Sequence, residues 1–232
     1  MKNINPVFCA VDTPDLAKAQ KLVTQIRHYV HGLKLGLEFF LANGVAGYKA
    51  VASDLPIFLD LKLHDIPNTV AGAVISILPL KPSFLTIHTS GGPAMMRAAA
   101  DAATRAGAMR PKLLGVTVLT SLDATDLATV GQDDDTTRQV VRLAKLARAS
   151  GLDGVVCSPE EVKILRQELG PDFILTVPGI RPSWAAANDQ KRIMTPGEAI
   201  AAGATYLVIG RPITGADNPA EAAQRIGQEI AA

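Results

Sequence analysis

Residues 56–69 read Pro56-Ile57-Phe58-Leu59-Asp60-Leu61-Lys62-Leu63-His64-Asp65-Ile66-Pro67-Asn68-Thr69. The apolar run Ile57-Phe58-Leu59 has strand character, yet it ends in charge rather than in plain hydrophobics. Side chains two apart on a strand share a face, which makes Asp60 and Lys62 neighbours. Asp65 falls beyond the strand, where the chain turns before Pro67. A cation held between two carboxylates at that point is better suited to handling a proton than to packing.

The same alternation of strand and helix runs along the whole chain. Strand-like runs fall at 7–12, 31–35, 57–62, 84–88, 113–119, 154–157, 173–177 and 205–210. Helix-like runs fall at roughly 14–28, 37–52, 67–79, 93–106, 136–149, 159–168, 196–202 and 218–231. Val140, Leu143, Ala144 and Ala147 share one helical face. Thr13-Pro14, Ser158-Pro159 and Thr195-Pro196 put proline at a first helical position. Gly107, Gly151 and Gly203 follow helices and suit left-handed caps.

Eight such pairs without a composition break specify an α/β fold, a closed (β/α)8 TIM barrel, as one domain over 1–232. An open doubly wound sheet would carry a glycine-rich fingerprint after its first strand. Val11-Asp12-Thr13-Pro14 stands there instead. Two long loops, 120–135 and 178–195, follow strands, where barrels keep their chemistry and their lids.

Hydrophobic residues make up 48% of the chain and aromatic ones only 4%, so a core of Ala, Val, Ile and Leu is expected. The net charge of +1 gives no electrostatic case for nucleic acid or membrane as partner. No run of about 18 apolar residues appears, and residues 1–6 lack a signal-peptide core. A cytoplasmic protein follows, with Cys9 and Cys157 as buried, reduced thiols in apolar runs. Asp133-Asp134-Asp135 reads as a solvated helix start, where acidic side chains favour the helix dipole.

The remaining polar residues gather at one end of the expected barrel. Asp12 ends strand 1, Lys34 lies near the end of strand 2, and Asp60 and Lys62 end strand 3. His88 ends strand 4, Thr120 follows strand 5, and Arg181 and Arg211 follow strands 7 and 8. Active sites in this fold lie on that face. The loops after strands 7 and 8 are also its usual phosphate site. There Pro178-Gly179-Ile180-Arg181-Pro182 and Gly210-Arg211-Pro212 combine approachable backbone N–H groups with guanidinium charge. Turn glycines beside surface arginines are the plain alternative, as is a rim salt bridge for the charged triplet. The second is weakened because rim pairs add little and buried ones are expensive to desolvate. A lysine between carboxylates is favoured as ammonium. It is therefore poorly suited to Schiff-base or general-base work and well suited to giving a proton to a carbanion.

On these residues the chain resembles the orotidine 5′-phosphate decarboxylases. Asp60-Leu61-Lys62-Leu63-His64-Asp65-Ile66-Pro67-Asn68-Thr69 is similar to that family's signature. The likeness continues in Lys34-Leu35-Gly36, His88 to Gly92, Val118 to Ser121, Pro178 to Pro182, Asp189-Gln190-Lys191-Arg192 and Gly210 to Thr214. Cys9-Ala10-Val11-Asp12 departs from the expected Leu-Asp ending but keeps the Asp. The resemblance implies that Lys62 protonates C6 of the pyrimidine as CO2 leaves, with Asp60 near the substrate carboxylate. It implies that Asp12 and Lys34 contact the ribose and complete a charged network, and that Thr120 contacts the pyrimidine. Gln190, Arg211 and Gly210 would hold the 5′-phosphate, with Arg181 on the same lid. Asp65 and Thr69 would come from the second subunit of a homodimer, and no metal or organic cofactor would be used.

The energetics of such a reaction set a demand on the site. Enzyme accelerations reach roughly 10¹⁷-fold, about 23 kcal/mol of barrier. One charge pair at about 4 Å and an effective dielectric near 20 supplies roughly 4 kcal/mol, so carboxylate repulsion alone is insufficient. Preorganised stabilisation of charge at C6 by Lys62 carries the larger share. Two other readings remain at this point. One is a Mg²⁺-dependent sugar-phosphate barrel with a similar Asp-x-Lys-x-x-Asp run, which needs further carboxylates around its metal. The other is a non-catalytic nucleotide-binding barrel. His64 and His88 suit structural, hydrogen-bonded roles better than proton transfer.

Overall fold

In the computed structural model of the chain, residues 5–52, 54–185 and 194–231 are described. All residues of β1 (Val7–Ala10) and β2 (Gly32–Gly36) are buried, the mark of strands covered on both faces. With β3 (Ile57–Leu63), β4 (Phe84–His88), β5 (Lys112–Val116), β6 (Gly154–Val156), β7 (Ile174–Val177) and β8 (Tyr206–Ile209) they close into a barrel in sequence order. Every neighbouring pair is parallel, including β8 with β1. This is the expected (β/α)8 barrel.

The helices are α1 (Leu16–Ile26), α2 (Leu37–Val51), α3 (Pro67–Ile77), α4 (Gly92–Thr104), α5 (Ala124–Thr129), α6 (Thr136–Ala149), α7 (Val162–Leu169), α8 (Pro196–Ala202), α9 (Arg211–Thr214) and α10 (Pro219–Ala231). Val140, Leu143, Ala144 and Ala147 form the buried face of α6, as their spacing requires. Thr195 caps α8 in a reciprocal box with Glu198, and Gly107, Gly151 and Gly203 all have positive φ. No helix among the described residues is long and apolar enough to cross a membrane.

Several local expectations are corrected. Strand 1 stops at Ala10, so Asp12 stands in the loop beyond it, and strand 5 stops at Val116. Helix α1 starts at Leu16 with Asp15 as its cap, not at Pro14. The loop 120–135 contains α5, which is too short to show a hydrophobic period but closes its own capping box between Asp123 and Asp126. Helix α2 is kinked at Gly44, whose φ of 57° is outside the helical region. Asp135 caps α6 as a helix-start acid should, but Asp133 does more. Its carboxylate takes Arg138 at 2.5 and 2.6 Å and Arg142 at 3.0 Å, tying the end of this loop to α6.

The core also departs from its expected composition. Outside the strands, under the helices, it is largely aliphatic, with Phe39, Tyr48 and Phe173 buried among the aliphatic side chains. Inside the barrel, Phe8, Phe58 and Phe84 pack with Tyr206 into an aromatic floor, Phe8 lying 5.3 Å from Phe84 and 5.4 Å from Tyr206, ring centre to ring centre. Four of the ten aromatic residues thus meet where the strands converge. Gly32 makes room for them, since a Cβ there would meet the Phe8 ring. This floor supports whatever projects from the strand ends two residues further on.

Candidate active site

Two residues above that floor the inward positions turn polar: Phe58 is followed by Asp60 and Phe84 by Thr86. The parallel register sets Gly36 of β2 beside Asp60 of β3. Lys34 Nζ donates to both oxygens of Asp12, at 2.9 and 3.1 Å, and lies 3.7 Å from Asp60 Oδ2. Lys62 Nζ donates to Asp60 Oδ2 at 2.8 Å. The result is an alternating chain, Asp12–Lys34–Asp60–Lys62. Gly36 leaves space for it, because a Cβ there would stand 2.8 Å from Asp12 Oδ1 and 2.9 Å from Lys34 Nζ.

Asp60 is 8% exposed. Burial pushes its pKa up, but the charges of Lys34 and Lys62 and the hydrogen bonds from Lys62 and Thr86 outweigh it. The carboxyl is held below its ordinary value. Lys34 is equally buried at 8%. Removing one member of a buried charge pair costs about 3–5 kcal/mol, since its partner is left uncompensated.

Lys62 has φ of 49°, the left-handed region. For a residue with a Cβ this costs about 1–3 kcal/mol and persists only where the surroundings impose it. They do so through a bulge, because the pairing of β3 with β4 shifts register between Leu59 and Leu63. The proximity of Asp60 and Lys62, expected from plain strand alternation, is thus made by an irregularity. A second correction concerns the order of charges. Within one chain the doubly held group is Asp60, between two lysines, rather than Lys62 between two carboxylates. Asp65 lies past the strand, exposed, and accepts a hydrogen bond from Ile66 N at 2.6 Å.

A cavity of about 340 Å³ opens above the charged chain. Asp12, Lys34, Asp60 and Lys62 form one side of it. Thr120, Arg181, Gly210 and Arg211 also line it, so eight of the expected site residues meet in one place. Arg181 is buried and donates to Ile180 O at 3.0 Å, while Arg211 is exposed and opens α9 directly after Gly210. Gly179 has φ of 78°, a turn that favours glycine. Asp65 and Thr69 do not line this cavity, and Gln190 lies outside the described residues.

Other cavity residues had no site role from the sequence, although Val118, Leu119 and Pro178 fall in the quoted stretches. Val118, Leu119, Val156 and Pro178 give it an apolar wall suited to a flat ring. Cys157 also lines it, but its thiol is buried and its pKa is pushed well up, first by burial and then by Glu161. It remains a packing thiol. Thr86 is fully buried and donates to Asp60 Oδ1 at 2.9 Å while accepting from Lys62 N at 2.9 Å. Its signal in the sequence was a lone hydroxyl in Phe84-Leu85-Thr86-Ile87. His64 and His88 pair with ring centres 5.3 Å apart and do not line the cavity.

Paired lysine and aspartate side chains at the strand ends, in one cavity with arginines that follow strands 7 and 8, give the (β/α)8 barrel an enzyme-like site. The comparisons with known proteins narrow this class. Residues 5–226 match the model of the orotidine 5′-phosphate decarboxylase / HUMPS family, and the chain belongs to that family. An orotidine 5′-phosphate decarboxylase of Rhodospirillum rubrum is 54% identical over 97% of this chain and 94% of its own length. One of Paramagnetospirillum magneticum is 53% identical over 98% and 99%. The crystal structure of the Lactobacillus acidophilus orotidine 5′-phosphate decarboxylase superposes with a TM-score of 0.87 at 37% identity, over 98% of this chain and all of the other.

Proposed function

We propose that this enzyme decarboxylates orotidine 5′-monophosphate to UMP and CO2, with Lys62 as proton donor to C6 and without a cofactor. The observation that carries the reading is the chain Asp12–Lys34–Asp60–Lys62 in the wall of a cavity that Gly210 and Arg211 also line. Arg211, Gly210 and Gln190 take the 5′-phosphate, with Arg181 bracing the same loops. Thr120 and the apolar wall hold the pyrimidine, and Asp12 and Lys34 the ribose. The C6–carboxylate bond then breaks and its electron pair stays on C6. Lys62 transfers a proton to that carbon and recovers one from water.

Binding through the phosphate helps because contacts far from the reacting carbon can be realised fully only in the transition state. At C6, a preformed ammonium stabilises the developing charge without reorganisation. Asp60, held ionised between its two lysines, fixes Lys62 and faces the departing carboxylate. The metal-dependent alternative fits the donor set less well. The space between the carboxylates of Asp12 and Asp60 is spanned by the Lys34 ammonium, where such a site would put its cation.

A homodimer with shared sites belongs to the same proposal, with Asp65 and Thr69 serving the partner's cavity. It is supported by the exposure of the whole run His64–Thr69 and by Ile66, 66% exposed, and Leu41, 78% exposed, which one chain leaves uncovered. One catalytic domain over 1–232 and a cytoplasmic location complete it. The deciding experiment is the loss of orotidine 5′-monophosphate absorbance on adding purified protein, with and without EDTA. Equal rates are expected in both. Turnover abolished by EDTA and restored by Mg²⁺ would favour the metal-dependent chemistry.

A further inference from the structure

The geometry points to Thr86 as a positioning residue that locks Lys62 and Asp60 into one rigid unit, a role that rests on the reading of Lys62 as proton donor. Between Leu59↔Leu85 and Leu63↔Ile87, β3 advances four residues while β4 advances two. The surplus residues of β3 leave the regular ladder, and the backbone N–H of Lys62 is among the groups displaced. Thr86 Oγ receives that N–H at 2.9 Å, so a side chain replaces the missing backbone acceptor. The same hydroxyl has one proton to give, and it goes to Asp60 Oδ1 at 2.9 Å. Both bonds of the hydroxyl are therefore committed, and its rotor is fixed.

The consequence is a closed ring of contacts. Thr86 holds Asp60 by Oδ1, Asp60 holds the Lys62 ammonium by Oδ2 at 2.8 Å, and Thr86 holds the Lys62 backbone. The carboxylate cannot turn without breaking a bond on one side or the other. The lysine backbone cannot relax from its φ of 49° without losing the Thr86 acceptor. Thr86 is 0% exposed, so no water replaces it easily. It stands apart from the phosphate loops, which lie across the barrel after β7 and β8. Its loss should therefore misplace the proton donor while leaving phosphate binding intact.

Thr86→Val keeps the shape and removes the hydroxyl; Thr86→Ser keeps the hydroxyl and removes the methyl. The expected result for Thr86→Val is a fall of about 100-fold in kcat per folded site, the scale of a small misplacement of reacting groups, with KM within about threefold. Thr86→Ser should stay within about threefold of the parent in both. If Thr86→Val fails to fold, Thr86→Ala against Thr86→Ser isolates the same hydroxyl, with the serine form the faster by a similar factor. Equal kcat in the serine form and its hydroxyl-free counterpart would overturn the role, as would a loss confined to KM or to the amount of folded protein. Lys62→Ala measured alongside separates the two readings. If it is inactive while Thr86→Val runs at the parental rate, only the Thr86 role fails; if it is fully active, the reading of Lys62 fails.

Discussion

The two sides of the cavity are built in opposite ways. On the β1–β4 side, charged groups sit on or just beyond strands and hold one another: Lys34 and Asp60 are each 8% exposed, and Asp60 has three named partners. On the β7–β8 side, the groups follow glycines: Arg181 sits in a loop and is buried, while Arg211 opens α9 and is exposed. The difference matches what the proposed function asks of each side. Charge developing at C6 is stabilised best by groups that need no reorganisation. A phosphate must be admitted, gripped and released, which suits loops.

The largest break in this comparison is Lys62→Ala. Removing the donor and its charge should lower kcat by at least about 10⁴-fold, measured by absorbance under saturating substrate. Retention of UMP binding by calorimetry would assign the loss to chemistry. A parental rate of CO2 release would refute the division of labour outright. Next is complementation across the proposed dimer. Lys62→Ala and Asp65→Ala proteins should each be nearly inactive, yet random mixing gives one intact site in each mixed dimer. About a quarter of the parental activity should return. No recovery after confirmed subunit exchange would confine Asp65 to its own chain.

Arg211→Ala should be milder and differently distributed. A charge-assisted contact of about 1.5–3 kcal/mol corresponds to roughly 10–100-fold in kcat/KM, and the melting temperature should hold because the side chain is exposed. An unchanged kcat/KM would remove Arg211 from the phosphate site. Taken with Lys62→Ala, it tests whether the rigid side governs kcat and the loop side governs substrate capture.

Much of this was legible before any coordinates. The barrel followed from eight repeated strand–helix pairs, and Asp12, Lys34, Asp60, Lys62, Thr120, Arg181, Gly210 and Arg211 meet in one cavity because parallel strands deliver all their C-terminal ends to one face. What escaped depends on register rather than on pattern. The bulge at Lys62 arises from the mismatch between β3 and β4, and neither strand records it alone. Thr86 matters only because of that mismatch. Gly36 stood only as the end of the Lys34-Leu35-Gly36 likeness, yet a Cβ would strike the Asp12–Lys34 pair. Helix α5 is fixed by one capping box, with no period long enough to read. Asp65 and Thr69 are exposed and outside the cavity of one chain, and only the proposed second copy would bring them to a site.

The smallest expected effect is on stability against pH, and it probes the half-buried histidines of the strand side. Burial lowers the pKa of His31, and burial together with His64 and Lys62 lowers that of His88, with Asp60 opposing. The folded protein thus resists protons that the unfolded chain accepts. Their contribution is complete above the ordinary histidine value of 6.5 and is lost as pH falls below it, until the folded imidazoles also protonate. Asp60 and Asp133 have depressed values, Asp133 to about 2, so their contribution is lost only in the acid range as pH falls through those values. The melting temperature should therefore decline in two stages, the first between about pH 7.5 and 5.5 and small beside the second. His88→Gln should shrink the first stage and leave the acid stage in place, read by calorimetry across that range. If the first stage is unchanged in both His88→Gln and His31→Gln, the half-buried imidazoles are not its source.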